Sequence, residues 1–425
     1  MLDIQRIRDF PEIVKQAAIS KKNPVDIDAV LALDGQRRET IQEAERLKNL
    51  RNTRSQEIAA LKKEKKDAAG LLEEMRLVSE KIKALDAAQK ALEEKLHELL
   101  IRIPNVPHES VHHGTSEKDN KEISIWGTPR TFDFAPKDHL QIGGELDIID
   151  FPRGAKIAGA GFPVYKGAGA LLERALVNFM LDTHTMKNGY REIFPPFLVN
   201  RESALGTGQL PKSHDQMYYI GEDGLYCIPT AEVPVTNLHR DEILDAAALP
   251  VKYCAYSACF RREAGSYGKD TKGFLRVHQF NKVELVKFAA PERSYEELEF
   301  LRADAEGILR SLGLHYRVLA LCDADLSFAA AKCYDLEAWA PAEKKFLEVS
   351  SCSNFEDFQA RRMNIRYRPL KGEKPQFVHT LNGSGVATAR VLVALLETYQ
   401  TARGTVAVPE ALRSYMHGMT EIVPS

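Results

Sequence analysis

FRREAGSYGKDTKGFLRVHQFNKVEL, residues 260–285, is the stretch from which the fold can be read. Two arginines and a glutamate open it. A loop of small, polar and basic residues with three glycines follows, and the chain returns through Arg276, Phe280 and Glu284. Side chains on a strand alternate faces with period two. The pattern predicts a β-hairpin in which Arg261 and Glu263 share one face. On the returning strand, Arg276, His278, Phe280, Lys282 and Glu284 share one face. Such a hairpin sets cations, carboxylates and one aromatic ring on a single floor, which suits a nucleoside triphosphate held beside a small zwitterion.

Around the hairpin the chain reads as mixed α and β from about Ser124 onward. Residues 168–186 form an amphipathic helix with Leu172, Ala175, Leu176, Phe179 and Met180 on one side, stopped at Asn188-Gly189. YREIFPPFLV (190–199) follows as a strand running into two prolines. Strand character returns at 346–351 and 364–367. HTLNGSGVATARVLVALLETYQ (379–400) reads as a strand, a glycine turn and a helix with Val386, Val393, Leu396 and Tyr399 inward. Antiparallel hairpins with segregated helices indicate an α+β sheet. No GxGxxG crossover and no GxxxxGK[ST] occurs, which argues against a Rossmann site and a P-loop.

Upstream lies a different texture. Between Pro24 and Pro104 there is no proline, and Glu, Lys, Arg, Leu and Ala dominate. Leu71, Met75, Val78, Ile82, Leu85, Gln89, Leu92, Leu96 and Leu99 repeat with 4–3 spacing, a coiled-coil seam. The first half is weaker, through Ile41, Ala44, Leu47 or Lys48, Arg51, Ser55, Ile58 and Leu61, and KKEKKDAAG (62–70) separates the halves with a break ending at Gly70. The expectation is an antiparallel two-helix arm over residues 1–103, a linker over 104–117, and a second domain over 118–425. Helices of roughly 30 residues extend about 45 Å, well beyond a compact domain. Arg46, Lys48, Arg51, Arg54, Lys62, Lys63, Lys65 and Lys66 outnumber Glu43, Glu45, Glu57 and Glu64 on the first helix. That face is either a solvated, ion-paired or dimerising surface, or a phosphate-contacting arm for a long nucleic acid.

Bulk properties set limits. The 425 residues allow two or three domains. A net charge of −2 gives no global electrostatic case for nucleic acid, so any such case is local. Six cysteines without CxxC pairs argue against zinc and against a disulfide framework, and fit reduced thiols. His108, His112 and His113 sit in the linker without acidic or cysteine partners nearby in sequence. MLDIQRIRDFPEIV lacks the apolar run of a signal peptide and no stretch approaches a membrane span, so a cytoplasmic protein without membrane contact is expected.

Three segments resemble the signature motifs of class II aminoacyl-tRNA synthetases, and in detail those of the seryl-tRNA synthetase family. They are the helix ending in GYREIFPPFLV, with its motif proline at Pro195 or Pro196; CFRREAGSYGKDTKGFLRVHQFNKVEL; and HTLNGSGVATAR, closing on Arg390. TAEVP (230–234) and FLEVSS (346–351) fall between them and are similar too. The resemblance spans essentially the whole chain. It implies an α+β class II catalytic domain behind a helical arm. The activity implied is ATP-dependent activation of L-serine to seryl-adenylate and transfer to the terminal adenosine of tRNA-Ser, with selenocysteine tRNA left open as a further substrate.

The same resemblance assigns residues. Arg261 would contact the α-phosphate and Arg390 the γ-phosphate, the planar guanidinium fork suiting phosphate better than lysine. Phe280 would cover adenine, while Glu263 and the backbone of Val277 read its edge. Arg262, Arg276, Val349 and Ser350 complete the ATP-binding set, Arg276 either steadying pyrophosphate or pairing with an acid. Glu348 and Ser351 resemble a pair that holds Mg²⁺ with ATP; no zinc is expected. Thr230, Ala231, Glu232, Arg261, Glu284, Asn382 and Ser384 would bind serine, with Thr380 adjacent. His278 and Lys282 are read as structural. The family resemblance further implies a homodimer whose arm grips the long variable arm of tRNA-Ser. Two departures stand out: Asp323-Ala324 where a Thr-Gly pair is more usual, and Gly161 where many members carry arginine. Competing readings are a non-catalytic RNA-binding scaffold on the same fold, which would have lost Arg261, Glu263, Glu348 or Arg390, and a relative that loads another carrier and needs no basic arm.

Overall fold

The computed structural model describes residues 1–264, 272–370 and 372–424. The loop tip of the 260–285 hairpin, residues 265–271, lies outside the described residues. The chain forms two compact units, Leu2–Pro104 and Asn105–Ser425 with Met1.

The first unit is built on two long helices, α1 (Ile27–Lys63) and α2 (Ala69–Leu100). Asp26 caps α1 by accepting the Ala29 N–H at 2.9 Å. All nine seam positions of the 4–3 repeat on α2 are buried or half-buried. Across from them, Leu47 and not Lys48 enters the seam, and Ser55 faces solvent while Ile58 is buried. Ile58, Ala68 and Met75 close the distal end. The turn occupies residues 64–68, with Lys65 at φ 57°, so Gly70 lies inside α2 and is not the break. Ion pairs cross between the helices, Lys48 to Asp86 at 2.9 Å and Lys81 to Glu43 at 3.0 Å. Arg46 and Lys81 together hold the exposed Glu43 carboxyl down to about 2.

The second unit is organised by an eight-stranded sheet: β1 (Lys121–Trp126), β2 (Arg191–Glu192), β3 (Val251–Phe260), β4 (Gln279–Ala289), β5 (Tyr316–Ala320), β6 (Lys332–Ala340), β7 (Lys345–Asn354) and β8 (His379–Ala387). Their spatial order is β1-β5-β6-β7-β8-β4-β3-β2. Every pairing is antiparallel except β2 with β3. Helices α3 (Gly167–Met186), α4 (Ser294–Ser311) and α5 (Thr388–Tyr399) share one large apolar core with the sheet. Alternation on β4 sorts side chains as period two requires. Val283 and Leu285 enter that core, while Lys282 and Glu284 point the other way.

Two sequence expectations are corrected here. Strand β3 ends at Phe260 and β4 begins at Gln279, so Arg261–Glu263 and Arg276–His278 are loop residues and do not share strand faces. Glu263 turns through φ 49°, and the Arg262 N–H is held by the Gln216 carbonyl at 2.9 Å. Second, the glycines of 379–390 make no turn: β8 runs through Gly383 and Gly385 and passes directly into α5. They are glycines because of close packing. A Cβ on Gly383 would stand 3.0 Å from Cys352 Sγ, and one on Gly385 2.7 Å from His184 Nε2. Val386, at φ 139°, then shifts the alternation, so it joins the core although it shares parity with Ser384.

Candidate active site

Two adjoining cavities of about 690 and 220 Å³ lie against the sheet, the smaller reaching the first turn of α5. Thr230, Glu232, Asp335, Ser351 and Asn382 line the larger. Glu263, Arg276, Val277, Phe280, Val349, Ser350 and Arg390 line the smaller. Arg261, Lys282, Glu348 and Ser384 line both, so the two form one cleft with a shared wall. Ala231 is fully buried in a separate apolar cluster, and Arg262 belongs to neither lining.

In the larger cavity β4, β8 and the segment after Ile228 bring distant residues together. Glu284 accepts from Thr230 Oγ1 at 3.0 Å and from Asn382 Nδ2 at 2.9 Å, and Lys282 Nζ lies 2.5 Å from its Oε2. Lys282 also donates to Thr230 Oγ1 at 2.9 Å. Glu232 is held by Gln359, whose Nε2 donates to its Oε1 at 2.7 Å while Gln359 Oε1 accepts from Thr380 Oγ1 at 2.8 Å. Thr380 thus acts on the pocket through Gln359. Burial first, and then the Glu284 charge, push the Glu232 carboxyl up to about 7 against the pull of Gln359, Lys282 and Arg261.

In the smaller cavity Arg261 Cζ stands 5.1 Å from the centre of the Phe280 ring, a cation–π contact. Arg276 pairs with Glu263 across the cavity wall. Arg390, on the first turn of α5, donates Nη1 to the Glu348 carbonyl at 3.0 Å and reaches its carboxylate at 3.3 Å. The floor segment at Phe274 is fixed from behind: buried His139 accepts the Phe274 N–H at Nε2 (3.3 Å), and its Nδ1 faces Glu397 Oε1 (3.4 Å). Glu348 and Ser351 lie opposite Glu337 and Asp335 in the ladder between β6 and β7. Burial and the Glu348 charge raise the Asp335 carboxyl well above its usual range. These carboxylates and a hydroxyl are hard-oxygen donors.

A family description, "tRNA synthetase class II core domain (G, H, P, S and T)", matches residues 218–399, and "Seryl-tRNA synthetase N-terminal domain" matches residues 1–107. The serine–tRNA ligase of Chloroherpeton thalassium is 57% identical over 98% of this chain and 99% of its own. The chain belongs to the seryl-tRNA synthetases. Like other seryl-tRNA synthetases it is an ATP-dependent serine–tRNA ligase of class II. The crystal structure of the seryl-tRNA synthetase from Pyrococcus horikoshii complexed with ATP superposes with a TM-score of 0.95 at 39% identity over 100% of both chains. The cytoplasmic serine–tRNA ligase of Naegleria fowleri in complex with AMP gives 0.88 at 32%, covering 99% of this chain and 98% of that one.

Measured on this synthetase, sequence reasoning missed two side chains, Lys282 and Gln359. The sequence pattern assigns Lys282 a structural place, whereas it stands in the shared wall. Its position i−2 to Glu284 on one strand face was the available signal. Gln359 offered none, because its role depends on the meeting of two segments 127 residues apart. Both departures from the family pattern are locally compensated. Asp323 accepts from the Gly114 N–H at 2.9 Å and lies 2.9 Å from His113 Nδ1, tying down the linker. Gly161, at φ 81°, has His278 over it: a Cβ there would come within 2.6 Å of the ring. Among the described residues all six cysteines are unpaired thiols, and no helix is long and apolar enough to cross a membrane.

Proposed function

We propose that the larger cavity binds serine and the smaller one ATP, with the carboxylate and the α-phosphate meeting at Arg261. Thr230, Glu232 and Glu284 receive the ammonium, and Asn382 and Ser384 flank the substrate hydroxyl. Phe280 covers adenine, with Glu263 and the Val277 backbone at its edge, and Arg390 clamps the γ-phosphate. The observation that carries this reading is the wall shared by the two cavities, in which Arg261 faces both. Adenylation joins a serine carboxylate oxygen to the α-phosphorus and expels pyrophosphate. Charge builds on the phosphorus oxygens, so a fixed guanidinium and tight positioning are what the protein contributes. Glu348 and Ser351 would hold Mg²⁺, which would supply charge neutralisation to the phosphates when bound.

The test is serine-dependent pyrophosphate–ATP exchange. Arg390→Ala is expected to abolish it, and normal exchange in that variant would remove the γ-phosphate clamp from this account.

The helical unit, in the same proposal, grips the long variable arm of tRNA-Ser by backbone and shape. Lys62, Lys63, Lys65 and Lys66, all exposed near the turn, support that reading. The protein works as a homodimer in the cytoplasm. Phe194, 74% exposed beside Phe197 and Tyr256, supports an interface on the motif that follows α3, and the unpaired thiols suit a reducing compartment.

A further inference from the structure

Lys282 makes the contacts that the proposed serine pocket reserves for its substrate. Its Nζ donates to Thr230 Oγ1 at 2.9 Å and lies 2.5 Å from Glu284 Oε2. It is 5% exposed, and its side chain borders both cavities. A primary ammonium held by a threonine hydroxyl and a glutamate is the arrangement a serine ammonium would require. Two cations cannot share that site in a weakly polar interior without strong repulsion. The lysine stands in the shared wall with Arg261, Glu348 and Ser384.

We propose that Lys282 is a tethered stand-in for the substrate ammonium. It holds Thr230 and Glu284 in their binding geometry, yields the site when serine enters, and turns its charge toward the junction of carboxylate and α-phosphate. Glu284 and Glu232 then never face one another without a cation. The lysine therefore competes with serine for the pocket and afterwards serves the reacting centre.

The inference rests on the serine pocket proposed above, and a separate variant tests that pocket. Glu284→Gln is expected to abolish serine-dependent exchange; exchange that survives it removes the pocket, whatever Lys282 does. For Lys282 itself the split between KM and kcat decides. At pH 8.5, Lys282→Met is expected to lower kcat for exchange by about tenfold or more, and to lower the serine KM by about threefold or more, because the internal competitor is gone. A lysine that only supports the strand would leave KM unchanged or raise it, and that result, with the KM for ATP intact, overturns the proposal. Lys282→Gln keeps a donor for Thr230 and Glu284, and it is measured alongside in case the methionine variant fails to fold. The same fall in KM is expected, and its absence overturns the proposal equally.

Discussion

Glu232 is a nearly buried carboxylate at the wall of the larger cavity. Its raised pKa is a linkage statement: the folded protein keeps a proton that the unfolded chain releases. The contribution to stability is therefore complete below the ordinary carboxylate range and is lost as pH rises to about 7. Glu232→Gln removes that penalty, and it is expected to stabilise the protein at pH 8 by about 3 kcal/mol, on the order of two and a half pK units. Chemical denaturation at pH 5 and pH 8 measures this, the gain vanishing at pH 5. The same variant should lose serine-dependent exchange, and wild-type serine KM should fall as pH rises through 7. At Gly161 the expectation is steric. Gly161→Arg should destabilise the protein through the His278 ring and the left-handed backbone, and Gly161→Arg with His278→Ala should recover part of the loss in thermal melts. Single residues were legible in the sequence where one short motif carried them, as with Arg261, Phe280 and Glu284. They were not legible where chemistry comes from long-range meetings. Gln359 touches Glu232 only because the helix that follows β7 packs beneath the segment carrying Glu232.

Elements reported themselves according to the strength of their period. The apolar 4–3 repeat of α2 set its partner face, and the nine seam positions are all sheltered. The weaker pattern of α1 left Leu47 or Lys48 open and put Ser55 in the seam, because spacing alone admits a residue that the structure leaves facing solvent. At 379–390 glycine was misread because turns and close packing both select it. The distinction lies in what stands over the Cα, a tertiary fact. Gly385 is the sharper case, lying against a His184 ring that burial drives down to about 4 and so keeps neutral. Gly385→Ala is expected to cost about 1–3 kcal/mol, read from the urea midpoint at constant m-value. Exchange activity should fall with it, because β8 carries Asn382 and Ser384.

At the scale of the whole molecule the two units divide the reaction. Removing residues 41–99 is expected to spare pyrophosphate exchange and to eliminate tRNA charging; charging that persists would refute the role proposed for the arm. Charging by the full chain should weaken steeply between 50 and 200 mM salt, roughly as phosphate contacts predict, while exchange changes little. Phe194→Glu should yield a monomer in sedimentation and abolish exchange if the dimer shapes the site. The unbroken passage from β8 into α5 has a further consequence. Asn382 and Ser384 stand at one end of a continuous rod and Arg390 at the other, with no loop between them to absorb a change in length. Deleting or inserting one residue at 385–388 would turn Arg390 by about 100° around the helix axis. The segment behaves as a gauge block for the reaction: its length is as much a catalytic quantity as any side chain on it.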